Sequence, residues 1–424
     1  MVADALPPLS GEAYESLNQR YMAAFEAQDY TGGLALALQG TEAFPRHFYF
    51  WMQASICALY LHRWQDAADY GETALSFPGA GYSLYDSLAH AYGELKRPDL
   101  VRQHGCSALA QRDIMYGQRA AVPDWPIPAP PPPPDVDRPG QNWLALALFG
   151  TRSKYCETAV LNAELMPEIY PGWTCVVYVD DSVPHRVVQR LHAANAYVQR
   201  IDQDFAQCPG PMWRMLAADI VGAKRVIFRD ADSLISEREA AAVAEWVASD
   251  SAFHIIRDSG SHTELLLAGL WGMVVGATPP MRGLLQAFLA RPIKNRHFAD
   301  QWFLREVIWP YARRSLMSHD SQFGFMNARP LTVAPPHEHF HVGSPEGSAL
   351  ITLRTSLPHG TPARWTLWRQ VEGVRQNVCT YPADVQHGLV LLELPFFYAR
   401  QLKSGQAGLD VAPRDEGVAE RETP

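Results

Sequence analysis

Cysteine is scarce and scattered: Cys57, Cys106, Cys156, Cys175, Cys208 and Cys379 form no CxxC pair and no Cys/His cluster. That pattern excludes a zinc ribbon and a disulfide framework, and reads as free, buried thiols in a reducing compartment. Positive charge is also short, with 36 Lys and Arg against 45 Asp and Glu and a net charge of −9. No basic stripe is left for a phosphate backbone, so no nucleic-acid partner is expected. No stretch approaches the roughly 20 apolar residues of a transmembrane segment, and the opening MVADALPPLSGEAYE lacks the basic start and apolar core of a signal peptide. The expectation is a cytoplasmic chain. What is present is a composition of 47% hydrophobic residues over 424 positions, enough for two or three domains with proper cores.

Landmarks recur at a spacing of 34 residues in the first part of the chain. Tyr30, Trp64 and Pro98 share one phase, and Ala23, Cys57 and Ala91 another; Ala74-Leu75 returns as Ala108-Leu109, and Pro45 is nearly matched by Pro78. Small residues at a fixed phase let two helices approach closely, and a proline after the second helix ends it. Stretches such as Trp64 to Leu75 predict antiparallel helix pairs. Over roughly residues 11–115 the pattern resembles a tetratricopeptide-repeat (TPR) domain. The resemblance implies a concave surface for a protein or peptide, or else helices that cap the remaining chain or form a homodimer.

Residues 1–121 are therefore read as an all-α TPR-like domain, and 122–141, with its run VPDWPIPAPPPPPDVDRPG, as a linker forming an extended polyproline spacer. Beyond it, Trp143–Phe149, Thr174–Val179, Ala196–Ile201, Lys224–Phe228 and Ala252–Ile256 predict buried strands. Between them, Tyr155–Met166, Pro184–Ala194, Met212–Val221 and Glu237–Ala248 carry helical periods. That alternation predicts an α/β fold with a largely parallel sheet over 142–345, whose ligands sit at the carboxyl ends of its strands. Apolar Leu389–Phe397 and the aromatics Trp365 and Trp368 make 346–403 an ordered extension packed on that domain, and polar, aperiodic 404–424 is expected to be a disordered tail.

The chemistry centres on Lys224-Arg-Val-Ile-Phe-Arg-Asp230-Ala-Asp232-Ser233, a short apolar strand ending in two carboxylates. In an extended chain the i, i+2 spacing puts both side chains on one face, where they can hold one divalent cation that also grips a diphosphate. Asp135-Val-Asp137 and Asp202-Gln-Asp204 share the pattern, but neither ends a strand in mid-domain.

The run from Trp143 to about Gly343 resembles a group of bacterial glycosyltransferase-like proteins of GT-A architecture, the Rossmann-like fold of nucleotide-diphospho-sugar transferases. The blocks that carry it are collinear: Ala147-Leu-Phe-Gly150 with Lys154-Tyr155, Asn162-Ala-Glu-Leu, Ile169-Tyr-Pro-Gly-Trp173, Val179-Asp-Asp-Ser-Val-Pro184, Met212-Trp-Arg-Met215, Arg229-Asp-Ala-Asp-Ser233, Arg257-Asp258 with His262, Ala268-Gly-Leu-Trp-Gly272, and Asp300-Gln-Trp-Phe-Leu304 followed by His319-Asp320.

That resemblance implies a glycosyltransferase, a hexosyltransferase acting from a nucleoside diphosphate sugar, most naturally a UDP-sugar, on a hydroxyl of a protein, peptide or glycan acceptor. Asp232 would bind Mn2+ or Mg2+ directly, and Asp230 the metal or the donor ribose and sugar. Arg214 would reach the donor's sugar or phosphates. Gly269 and Gly272 would admit the transferred sugar and Trp271 offer it an apolar face. His262 and Gln301 would contact the donor, while Asp258, Asp300 and Asp320 are candidates for a catalytic base. His341 is the expected third metal ligand, with His339 and His319 as its rivals. Two other classes remain. A haloacid-dehalogenase-type phosphatase also uses a strand-end Asp-x-Asp, but Leu234 stands where it carries Thr or Val, and three strand–helix units precede the motif here. A non-catalytic TPR adaptor with a degenerate transferase domain is opposed by the intact Asp230 and Asp232.

Overall fold

The computed structural model of the chain describes residues 11–79, 81–117, 125–293, 295–296, 298–338, 340–345 and 349–414. It opens with helices α1 (Glu12–Glu26), α2 (Tyr30–Ala43), α3 (Phe48–Tyr60), α4 (Trp64–Leu75), α5 (Tyr82–Glu94) and α6 (Pro98–Gly117). Strands and helices follow as β1 (Asn142–Leu148), α7 (Ser153–Ile169), β2 (Thr174–Val179), α8 (His185–Ala193), β3 (Tyr197–Arg200), β4 (Arg225–Arg229), α9 (Glu237–Val247), β5 (Phe253–Arg257), β6 (Leu270–Val274), α10 (Met281–Leu289), α11 (Ala299–Phe303), α12 (Trp309–Ala312) and β7 (Leu316–Asp320). The remainder is β8 (Ala349–Arg354), β9 (Pro362–Val371), β10 (Val374–Asp384), β11 (Leu389–Leu394), α13 (Phe396–Lys403) and β12 (Ala407–Pro413). Two compact units alternate along this sequence: the first is Met1–Pro130, Ala241–Leu267 and Gln301–His341, the second Pro131–Ala240, Ala268–Asp300 and Val342–Pro424. Among the described residues no helix is long and apolar enough to cross a membrane.

In the first unit the repeat seen in the sequence becomes geometry. Tyr30, Trp64 and Pro98 are the first residues of α2, α4 and α6. Cys57 and Ala91 are buried at the equivalent phase, as are Ala74 and Ala108. Each corner between paired helices closes in the same way. Gln28, His62 and Lys96 take left-handed φ values of 59°, 56° and 56°. Their N–H groups donate to Phe25, Leu59 and Gly93, and the following residues donate to Ala24, Ala58 and Tyr92. That double bond is the Schellman ending, at which glycine is the usual residue because a Cβ is strained there. The corners are thus a further 34-residue register, one that residue identity conceals.

The last helix pair is built into the rest of the first unit. Arg112 of α6 is buried and holds Asp86 by two bonds while lying 3.4 Å from Glu264, which also accepts from Arg305 at 3.0 Å. Asp113 accepts from Trp309 at 2.8 Å and from Arg313 at 2.9 Å. Gly260 lies so close to α5 that a Cβ on it would sit 2.8 Å from the carbonyl oxygen of Ala89. The same unit contains the parallel pair β5 and β7, in register from Phe253 opposite Leu316 to Arg257 opposite Asp320.

In the second unit five strands lie in the order β3-β2-β1-β4-β6; β1 to β4 are parallel and β6 runs antiparallel to β4. All seven residues of β1 and all five of β4 are buried, as in strands covered on both faces, and their apolar runs Trp143–Leu148 and Val226–Phe228 are unbroken. Predicted and observed strands agree to within about one residue. The expected helix over 212–221 is instead a 3₁₀ segment, Gly210–Asp219, opening on Gly-Pro. The proline run is not a free spacer along its whole length. Buried Arg225 at the start of β4 donates to the carbonyls of Pro131 (2.6 Å) and Pro132 (2.7 Å), which a polyproline backbone leaves unpaired.

The final segment forms a three-stranded sheet, β10-β9-β12, and a pair, β11-β8. It meets α7 through Tyr381, which donates to buried Glu157 at 2.7 Å, and through Ser153, which donates to the carbonyl of Glu393 at 2.7 Å. The expectation of disorder from Ser404 onward is corrected at 407–413: these residues are β12, paired with β9 from Ala407 opposite Arg369 to Pro413 opposite Ala363. Backbone pairing on an existing sheet edge needs little apolar content, so composition did not announce it. Residues 415–424 of that expectation lie outside the described residues.

The corners yield a stability test. Gln28→Gly should stabilise the protein by about 0.5–1 kcal/mol, the relieved left-handed strain less the added freedom of the unfolded chain, whereas Gln28→Val should destabilise it; urea unfolding of the three proteins checks both.

Candidate functional site

In the second unit β2 and β3 lie on one side of β1 and β4 on the other. The chain therefore leaves the carboxyl ends of β1 and β4 in opposite directions, and such a switch point opens the crevice in which open α/β sheets bind ligands. Asp230 is the first residue beyond β4 and Asp232 the third. The two carboxylates do not extend the strand as the spacing alone suggested. The Ser233 N–H donates to the Asp230 carbonyl at 3.3 Å, closing a turn.

Three features fix this turn. Arg214, buried on the 3₁₀ segment, donates to Asp230 Oδ1 at 2.6 Å and to Asp300 Oδ2, in α11, at 3.2 Å. Gly269, just before β6, lies against the Asp230 carboxylate so closely that any Cβ would overlap it. From α7, buried Asn162 donates to the Ser233 carbonyl and accepts from the Ile235 N–H, both at 2.9 Å. Burial, and then the charge of Asp230, raise the pKa of Asp232, opposed in part by Lys154 and Arg214. Two hard oxygen donors whose like charges disfavour each other are a fitting set for a divalent cation, and unsuited to a soft metal. At the end of β1, Phe149 is 45% exposed and meets Trp213 edge-on at 5.6 Å, leaving an aromatic face at the switch point.

Several expected donor contacts are corrected. Trp271 is fully buried in β6 and stacks on Phe228 with centroids 4.2 Å apart, so its indole belongs to the core and offers no platform to a sugar. Gly272 stands within β6 opposite Ile227, three residues past the rim. Arg214 is enclosed between two carboxylates and positions them; it does not present a fork to a ligand. Arg229, next to the pair, is buried on Glu239 (3.0 Å), which also accepts from Tyr170 (2.9 Å).

The remaining candidates belong to the first unit. Asp258 accepts from the Ser321 hydroxyl at 2.6 Å, and its N–H donates to His262 Nδ1 at 3.0 Å. Burial, and then neighbouring His341, push the His262 pKa down to about 3, so the ring is neutral and accepts at Nδ1. His341 packs edge-on against it with centroids 5.0 Å apart. Among the described residues no group of three or more His, Cys, Asp or Glu side chains is placed to hold a metal ion. Asp230 and Asp232 lie in the second unit and His341 in the first. His319 is a core histidine bonded to His254 (2.8 Å) and Glu245 (3.2 Å), and His339 lies outside the described residues. Asp320 is corrected from base candidate to turn residue: its Oδ1 accepts from the N–H groups of Gln322 (2.7 Å) and Phe323 (2.6 Å). Gln301 donates to the Leu266 carbonyl.

Asn162 and Lys154 stood in the sequence only as members of the blocks that carry the resemblance, with no place in the site assigned to them. The available signal was a polar residue inside the apolar period of α7 and a lysine opening that helix beyond β1.

No family model matches the chain, and neither does any curated protein. Similar solved structures include a TPR domain from Arabidopsis, 17% identical over 24% of this chain and 83% of that one, with a TM-score of 0.23. An O-GlcNAc transferase mutant from Thermobaculum terrenum is 14% identical over 52% of this chain and 47% of that one, with a TM-score of 0.28. A cytidylyltransferase from Leptospira borgpetersenii is 11% identical over 45% of this chain and 79% of that one, also with a TM-score of 0.28. These are weak likenesses of a helical repeat and of transferase structures.

The raised pKa of Asp232 predicts a pH effect. The native state binds this proton more tightly than the unfolded chain does. Its contribution to stability is therefore complete below the ordinary carboxylate range and lost as pH rises through the native pKa. In metal-free buffer Asp232→Asn should melt above the wild type at pH 7, and the gap should close on acidification to below pH ~4; melting curves across that range in EDTA check it.

Proposed function

We propose that this chain is a metal-dependent glycosyltransferase of GT-A type. It moves a sugar from a nucleoside diphosphate sugar, a UDP-sugar in our reading, to a hydroxyl of an acceptor. The observation that carries the proposal is the carboxylate pair Asp230 and Asp232 in a fixed turn beyond β4, beside the switch point of a parallel sheet. Asp232 and Asp230 would hold Mn2+ or Mg2+, which when bound supplies positive charge to the departing diphosphate. Arg214 keeps Asp230 in place and, by its own charge, limits the repulsion between the two carboxylates. Lys154 adds a positive group for phosphate oxygens, and Phe149 a flat face for the nucleobase. Gly269 keeps the floor beneath Asp230 free of side chains.

In this reading the acceptor is a protein or peptide recruited by the helical repeat. Because α6 is engaged with Glu264, Trp309 and Arg313, and α5 with Gly260, inside the first unit, recruitment falls to α1–α4.

Release of free nucleotide from a panel of UDP-, GDP- and CMP-sugars, with and without manganese, tests the proposal. Metal-dependent release from a UDP-sugar is expected, lowered about 100-fold or more in Asp232→Ala with circular dichroism unchanged. Equal release by that variant, or release indifferent to EDTA, would sink the site assignment.

A further inference from the structure

We infer that Asn162 is a positioning residue for the cation site, the device by which α7 holds the turn carrying Asp230 and Asp232. The inference rests on the metal-dependent reading above. That turn belongs to no strand or helix: the chain from Asp230 to Ile235 has left β4 and not yet reached α9, and the bond from the Ser233 N–H to the Asp230 carbonyl closes it. Two like-charged carboxylates close in sequence drive it open. Against this, Asn162 presents a donor and an acceptor from one planar amide, matched to the carbonyl of Ser233 and the N–H of Ile235 at 2.9 Å each. This is the bonding a neighbouring strand would provide, delivered by one side chain. It is fully buried, so water does not compete for either group. Ser233 is also paired with Pro345 in an isolated bridge, which leaves the amide of Asn162 on a segment gripped from two directions. Aspartate at this position keeps the acceptor but turns a second oxygen toward the Ser233 carbonyl. Glutamine keeps both groups on a longer arm.

The inference predicts that Asn162→Asp weakens Mn2+ binding by about 10–100-fold, the usual cost of losing a group that orients a metal ligand, while Asn162→Gln retains more affinity than Asn162→Asp. The test uses the full chain with UDP present and reads bound Mn2+ by electron paramagnetic resonance. In parallel, amide hydrogen exchange over 230–236 is followed in metal-free buffer. The expected result is weaker Mn2+ binding together with faster exchange in that segment and unchanged protection of β1 and β2. Equal affinity and equal exchange in Asn162→Asp would overturn the inference, as would loss of protection throughout the sheet, which would make Asn162 a general core residue. A wild type that binds no Mn2+ would remove the metal reading itself. The exchange arm would then still decide whether Asn162 holds the turn.

Discussion

A guanidinium enclosed between two carboxylates is the interaction on which this candidate site depends. Arg214 is buried, so its charge is met by Asp230 and Asp300, and losing both partners would leave an uncompensated buried charge costing about 3–5 kcal/mol. The 3₁₀ segment, the end of β4 and the start of α11 are thereby tied at one point. The repulsion between Asp230 and Asp232 is then a tension held by the surrounding structure and available to a bound cation. Gly269 belongs to the same constraint, because Asp230 can adopt this position only where the facing backbone has no side chain.

Within the first unit the helical repeat and the segments 241–267 and 301–341 are less separable than a bead-on-string reading suggests. The last pair, α5 and α6, spends buried charges on Glu264, and Asp113 of α6 anchors Trp309 and Arg313. Repeats that serve only to recruit have no need of such bonds. The loop they support runs from Asp258 to Leu267 and is braced from its other side by Arg257, whose guanidinium reaches the carbonyls of Glu264 (3.0 Å) and Leu265 (2.6 Å). Whatever Asp258 and His262 do, their placement is a property of the repeat as well as of the strand before them.

Much of the fold was legible because periodicity reports burial, and burial is what strands and repeats share. β1, β2 and β4 were found through continuous apolar runs, and the helix pairs through Tyr30, Trp64 and Pro98. The pair Asp230 and Asp232 was visible because a charged doublet ending an apolar strand is costly unless used. What escaped depended on partners distant in sequence. Trp271 reads alike as a platform or as core, and only Phe228 beneath it decides. The bonds of Asp320 to its own turn, the clamp of Asn162 on Ser233 and Ile235, and the pairing of β12 with β9 all lie in backbone geometry that side-chain identity does not encode. The left-handed corners were hidden for the opposite reason, since Gln28, His62 and Lys96 stand where glycine would have signalled them.

The alternation of the two units along the chain bears on how the protein is made. The first unit cannot be complete until residues as far as His341 have emerged, about 200 positions after Pro130. At ordinary synthesis rates that interval is roughly 10–40 s. During it α1–α6 exist with Asp113 lacking Trp309 and Arg313, with Arg112 holding Asp86 but not Glu264, and with Gly105 of α6 not yet covered by Phe323. The nascent repeat is thus a sticky intermediate by construction.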